Sequence, residues 1–327
     1  MIIRKPDYYD NFHCIASDCP DSCCKAGWQI VVDDDTLDFY RSVDGKLSNG
    51  FYNYIEKKDG EYMFTNTNGA CDFLDKNGLC NIQKEYGLER LCRTCRVYPR
   101  YNYNFGGLTE LGLELSCPTV AEILYNIKEI ISYKEEKNDE LPVPNEIDAE
   151  LFNFLIKCRE KSIDIIQNRK YSLNKRISDF LAFNEAVHKC IRKNKYEVPK
   201  YNEKRFNSSF YIKKHINKLQ KLEILTDKWK SLMFTDYPKT TEIIFDENEI
   251  FYENLLFYFV YRYYLSAVFD KYLIGRARFC VLPLYIIKYF SKDKRDFMDL
   301  SVTYSIEIEH SEENTSKLIH YLEKMPI

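Results

Sequence analysis

No strong net charge marks this chain. Its 327 residues carry 47 Lys and Arg against 50 Asp and Glu, a formal net charge of −3, so no basic field points to a nucleic-acid partner. No long apolar run follows the basic start Met1-Ile2-Ile3-Arg4-Lys5-Pro6, and no secretory leader is expected. The most apolar stretch, Phe251 to Phe269, is interrupted by Glu253, Asn254 and Arg262. It reads as a buried core helix rather than a membrane span. The expected location is the cytoplasm, where disulfides do not normally persist. Internal repeats and low-complexity tracts are missing. So is a Gly-x-Gly-x-x-Gly segment opening a strand–helix unit, which removes the usual nucleotide-binding fold. Aromatic residues are plentiful, with 27 Tyr and 21 Phe, but abundance alone supports core packing and no ligand.

What the chain does have is cysteine, unevenly spread. Cys14, Cys19, Cys23, Cys24, Cys71, Cys80, Cys92, Cys95 and Cys117 fall in the first 117 residues, and only Cys158, Cys190 and Cys280 follow. A charged run from Lys134 to Glu140 leads into Leu141-Pro142-Val143-Pro144-Asn145, read as a linker. The expected fold class is α+β: a cysteine-rich, mixed α/β domain over 1–140, then a mainly α-helical domain over 141–327.

In the first domain, Gly27–Val32 reads as a short strand. Thr36–Lys58 reads as helix interrupted near Gly45 and Gly50. Asp33-Asp34-Asp35 supplies a helix N-cap before Leu37 in preference to a patch that attracts lysine. The clearest local signal is a hairpin. Tyr101, Tyr103 and Phe105 alternate with Asn102 and Asn104, Gly106-Gly107 supplies a two-residue turn, and Leu111, Leu113 and Leu115 alternate with Gly112 and Glu114. Cys117 continues the leucine parity toward the buried face. Pro118 then places Cys117 at a helix N-terminus, where the dipole favours a thiolate. Beyond the linker, helices are expected over Glu146–Lys170, Asn174–Lys193, Ile212–Met233, Asn248–Phe269, Tyr272–Phe290 and Glu312–Lys324.

The clustered cysteines read as Cys14-(x4)-Cys19-(x3)-Cys23-Cys24 and Cys71-(x8)-Cys80-(x11)-Cys92-(x2)-Cys95, then Cys117. Thiolates are soft ligands suited to Zn²⁺ and iron–sulfur clusters. A disulfide framework is disfavoured by length and compartment, and by the adjacency of Cys23 and Cys24. Inert burial fits Cys158, Cys190 and Cys280. The Cys-(x3)-Cys-(x2)-Cys triad of radical S-adenosylmethionine enzymes fails, because Ala26 stands at its third position. Spacing does not separate a closed Cys₄ zinc site from a Cys₄ iron–sulfur cluster. His13, beside Cys14, reads as a surface residue in preference to a ligand.

The chain resembles the flagellin lysine-N-methylases, within a wider group of zinc- or iron-chelating proteins with a CxxxCxxCC-type motif. The likeness runs through Asp18-Cys19 to Cys23-Cys24 with Gly27-Trp28, Cys71-Asp72-Phe73-Leu74-Asp75, Gly78-Leu79-Cys80-Asn81-Ile82-Gln83-Lys84-Glu85, Thr94-Cys95-Arg96-Val97-Tyr98-Pro99-Arg100 and Ser116-Cys117-Pro118. Near the C-terminus it includes Tyr304-Ser305, Ile308-Glu309-His310-Ser311 and Asn314. The resemblance implies a cytoplasmic enzyme that moves methyl groups from S-adenosylmethionine to lysine side chains of flagellin. It also implies a 4Fe–4S centre, with zinc as the alternative metal. Its family-like cysteines are Cys14, Cys19, Cys23, Cys24, Cys71, Cys80, Cys95 and Cys117, and Cys92 is additional. Eight thiols exceed the four one cluster needs, so two sites, or one site plus structural thiols, both stand. Arg96 and Arg100 can grip a cofactor carboxylate, or satisfy loop carbonyls and pair with Glu85 or Glu89. Tyr98, Glu309 and His310 are the catalytic candidates. The rival functions are a zinc-stapled interaction module without enzymatic activity, and an iron–sulfur redox or metal-handling protein.

Overall fold

A four-stranded sheet gathers both ends of the cysteine-rich region. The structure, a computed structural model, describes residues 1–43, 53–138, 146–203, 208–235, 243–245, 248–291 and 294–325. The linker expected at 141–145 lies outside the described residues, as do Gly45 and Gly50.

The chain opens with β1 (Ile2–Pro6) and, after three short 3₁₀ turns, α1 (Asp34–Ser42). Asp33 caps α1, its carboxylate accepting from the Thr36 N–H at 3.1 Å, as the acidic triplet led one to expect. Then come β2 (Ile55–Lys58), β3 (Glu61–Phe64), β4 (Asn66–Thr67), β5 (Ala70–Cys71), α2 (Asn81–Tyr86) and α3 (Arg93–Val97). Two expectations are corrected here. The helix begun at α1 stops at Ser42, and Ile55–Lys58 pairs as a strand with β3. Gly27–Val32 is a loop that meets β3 only through a bridge between Val31 and Met63.

The expected hairpin forms from β6 (Arg100–Asn104) and β7 (Leu108–Leu113). Gly106 turns it at φ +73°, a conformation open to glycine. Gly112 faces Tyr101 in register, and a Cβ there would sit 2.2 Å from the tyrosine ring. Leu113, Leu115 and Cys117 are buried as parity predicts, but Leu111 is only half-buried. Within β7, Leu108, Glu110 and Gly112 are buried as well as Leu113. Next come α4 (Pro118–Asn126) and β8 (Tyr133–Lys137). β7 lies parallel to β1, and β1 lies antiparallel to β8, giving the order β6-β7-β1-β8. The charged run read as leading into a linker is thus an edge strand in its first part, where charge discourages pairing with other chains.

The remaining chain is helical: α5 (Ala149–Ile166), α6 (Leu173–Arg192), α7 (Ser208–Leu219), α8 (Asp227–Phe234), α9 (Glu249–Tyr263), α10 (Ala267–Asp270), α11 (Leu273–Phe290), α12 (Lys294–Tyr304) and α13 (Glu312–Glu323). The single helix expected over Ile212–Met233 is two, because Thr226 caps a new start by accepting from the Trp229 N–H. The helix expected to reach Phe269 ends at Tyr263. Nearly every residue of α9 and α11 is buried, which places both at the centre of the helical layer. No helix among the described residues is long and apolar enough to cross a membrane.

The polar residues that interrupt α9 each have partners. Glu253 takes Arg169 and Arg176. Asn254 donates to the carbonyls of Leu124 and Ile127. Arg262 reaches Glu114 and Glu309. A second buried charge group ties sheet to helices, with Arg159 of α5 bidentate on Glu110 of β7 at 2.5 and 2.7 Å and Arg4 of β1 beside them.

Two apolar clusters result. The larger joins the sheet to the helices. The smaller holds Val32, Leu37, Tyr40, Phe64, Phe73, Ile82, Leu91 and Cys92, with Cys71, Cys80 and Cys95 at its edge. A core this small is marginal alone.

Candidate functional site

The eight family-like cysteines come from separate local devices. Cys14 and Cys19 lie in loop, Cys23 and Cys24 open a 3₁₀ turn, and Cys71 ends β5. Cys80 precedes α2, Cys95 sits within α3, and Cys117 is the N-cap of α4 with Pro118 following. All eight line one cavity of about 1090 Å³, together with His13, Arg96, Tyr98, Arg100, Ser116 and His310. Cys92 does not line it and is fully buried in the small core. None of the twelve cysteines is joined in a disulfide.

Burial pushes the thiols of Cys19, Cys80 and Cys117 up, and that of Cys71 up to about 12. For Cys117 the N–H groups of Val120 and Thr119 pull the other way, as a helix N-terminus should, but burial outweighs them. The helix start thus favours the Cys117 thiolate as expected, against the opposing effect of burial. Two thiol pairs behave differently. Cys23 hydrogen-bonds to Cys24 and lowers it against the effect of burial, while Cys23 itself is raised. Cys95 likewise lowers Cys92.

The donor set suits a thiolate-bound metal centre in chemistry and in sharing one cavity. Among the described residues, no three His, Cys, Asp or Glu side chains stand close enough together to hold an ion as placed.

The far wall comes from the other end of the chain. After α12 a π-helical turn, Ser305–Glu309, closes with His310 N–H on the Ser305 carbonyl at 3.3 Å. Such turns re-aim side chains. Here Glu309 faces inward and accepts from the Tyr258 and Tyr263 hydroxyls at 3.1 and 2.8 Å. His310 faces the cavity, its Nε2 2.8 Å from the Ser116 hydroxyl, which in turn lies 3.1 Å from the Tyr98 hydroxyl. Of the catalytic candidates, Tyr98 and His310 therefore line the cavity, and Glu309 stands behind it.

Arg96 donates to the Glu89 carbonyl at 3.0 Å. Arg100 packs over the Phe12 ring at 5.0 Å. Both keep an edge on the cavity.

Glu114 and Arg262 were not singled out as site residues by sequence. Glu114 faces His310 at 3.4 Å and Arg262 at 3.2 Å. Burial pushes its carboxyl up, but His310 and Arg262 outweigh that and hold it below its ordinary value. The alternation Leu113-Glu114-Leu115 was the available signal, since it sets Glu114 opposite the leucines.

Comparison with known proteins bears on the same wall. The profile of the FliB lysine N-methylase C-terminal domain matches residues 211–326, the segment that carries the π turn and His310. The chain is 31% identical over 145 residues to the flagellar biosynthetic protein FliU of Salmonella muenchen, covering 42% of this chain and 85% of that protein. The chain belongs to the FliB lysine N-methylase family. It is also 30% identical over 143 residues to the lysine-N-methylases of Salmonella choleraesuis and Salmonella typhimurium. Each of those matches covers 42% of this chain but 35% of the relative, so the chain spans about a third of the length of those two lysine-N-methylases. No solved structure matches it.

Proposed function

We propose that this chain transfers methyl groups from S-adenosylmethionine to lysine side chains of flagellin in the cytoplasm, with a 4Fe–4S centre bound by cysteines among Cys14, Cys19, Cys23, Cys24, Cys71, Cys80, Cys95 and Cys117. The observation that carries the reading is that His310, in the family-matched segment, closes the wall of the cavity those eight thiols line. Residues 1–140 hold the centre in this reading, and residues 141–327 complete the pocket.

In the reaction the methyl carbon leaves the sulfonium sulfur as its bond to the lysine nitrogen forms. The sulfur becomes a neutral thioether, and the lysine nitrogen gives up one proton. The nitrogen attacks only when neutral. In this reading His310 takes that proton, supported by its facing the cavity within 2.8 Å of the Ser116 hydroxyl. Glu309 is a positioning residue, holding Tyr258, Tyr263 and Arg262 behind the wall. Arg96 and Arg100 border the cavity where a donor carboxylate would lie. Such a centre, held by cysteines among these eight, would supply Lewis-acid affinity for the amino and carboxylate groups of the donor. Alignment of donor and acceptor in one enclosed space supplies rate through proximity.

The test is transfer of methyl label from S-adenosylmethionine to flagellin by anaerobically purified protein. Label recovered on lysine supports the reading. No label on lysine with metal-loaded protein contradicts it.

A further inference from the structure

Beside the cysteine cavity lies a smaller pocket of about 260 Å³. It shares Trp28, Tyr98, His310 and four cysteines with the larger one, and has Glu114 to itself. The Trp28 ring stands edge-on to Tyr98 at 5.0 Å and 76°, and to His310 at 5.1 Å and 70°. Three rings thus give adjoining aromatic walls. Among the described lining residues, Glu114 is the one carboxylate and none is Lys or Arg.

The charge behind this wall does not balance locally. Arg262 is the one guanidinium held by both Glu114 and Glu309, at 3.2 and 3.4 Å. Glu309 is also met by two tyrosine hydroxyls. Among the described residues, the two carboxylates share one fixed positive charge, that of Arg262, and His310 stands beside Glu114 to add another. Aromatic faces beside a carboxylate with charge to spare attract an organic cation.

We propose that this pocket is the port for the acceptor lysine, its alkyl stem lying against the corner that the touching Trp28 and Tyr98 rings form and its ammonium facing Glu114. The inference rests on the lysine-methylating reading and deepens it. Size separates the two cations of that reaction. Sites that enclose a drug-sized ligand run from about 300 to 1,000 Å³, so this pocket takes a side chain, and the donor belongs to the larger cavity. The shared wall lets the nitrogen emerge where the donor lies. A methylated lysine keeps its cation and still fits the same attraction, so partly methylated acceptors remain ligands.

The test uses the full chain without donor. Ligand-observed NMR measures affinity for Nα-acetyl-lysine amide, its trimethyllysine counterpart and the uncharged norleucine analogue, with Trp28 emission as local reporter. The port predicts binding of both cations over norleucine. It predicts a loss of about ten-fold or more in Glu114→Gln, retention in Trp28→Phe and loss in Trp28→Leu. If Glu114→Gln unfolds, the two Trp28 variants carry the test. Equal binding of norleucine overturns the port, as does unchanged lysine affinity in folded Glu114→Gln. A fall in S-adenosylmethionine affinity with lysine affinity unchanged also overturns it. Cation binding that depends on Glu114, in protein that transfers no methyl, upholds the port and fails the methylase reading alone.

Discussion

His310 Nε2 lies 2.8 Å from the Ser116 hydroxyl across 194 residues of chain. Ser116 precedes Cys117, so the contact fastens the family-matched C-terminal segment to the cysteine cavity at the residue beside one of its thiols. If His310 takes the lysine proton, His310→Asn should lower kcat by roughly 10²- to 10⁴-fold with S-adenosylmethionine affinity unchanged. Product quantified by mass spectrometry under saturating donor checks it. A kcat within a few-fold of wild type removes His310 from the chemistry.

The cluster around Tyr40 and Phe73 is too small to be secure without help, and Cys71, Cys80 and Cys95 stand at its edge. Metal bound there would add folding free energy to that region. Chelation should speed amide exchange in α1, α2 and β3 while leaving α9 and α11 protected. Equal exchange before and after chelation would mean that the metal does not support this core.

Arg159 is fully buried and bidentate on Glu110. Removing Arg159 leaves the buried Glu110 carboxylate to Arg4 alone, at 3.2 Å, so its charge is under-compensated. Arg159→Ala should therefore cost about 3–5 kcal/mol in denaturant unfolding. Replacing both partners with apolar residues of similar volume should recover much of that loss.

Asp75 turns the loop between Cys71 and Cys80. The Lys84 ammonium and the N–H groups of Leu79 and Asn77 hold its carboxyl below its ordinary value of 3.8, at about 2. A carboxyl lowered by folding stabilises the fold above its unfolded value, and the contribution fades as pH falls through the folded value. Stability from Asp75 should thus be complete above about pH 4 and decline toward pH 2. Lys84→Met should move the Asp75 midpoint, followed by NMR, back toward its ordinary value.

Local chemistry was legible where it decided the outcome. Gly106-Gly107 and the flanking alternation fixed the hairpin, Asp33 fixed the start of α1, and Pro118 fixed the start of α4. Features set by distant partners were not. Glu110 is tolerated inside β7 because Arg4 and Arg159 arrive from elsewhere. α12 was missed, and the π turn after it depends on one extra residue that no period reveals. The cysteines announced themselves, but their sharing one cavity with His310 follows from packing. Glu114 matters only because Arg262, 148 residues on, and His310 both reach it.

The account turns on an iron–sulfur centre bound by cysteines among the eight that line the cavity. Iron and acid-labile sulfide per chain, with a visible spectrum of anaerobically purified protein, test that most directly. The account predicts iron with matching sulfide and a brown thiolate-to-iron absorption, diminished in Cys71→Ser and Cys95→Ser but not in Cys190→Ser. Zinc without sulfide, or no bound metal, would contradict it.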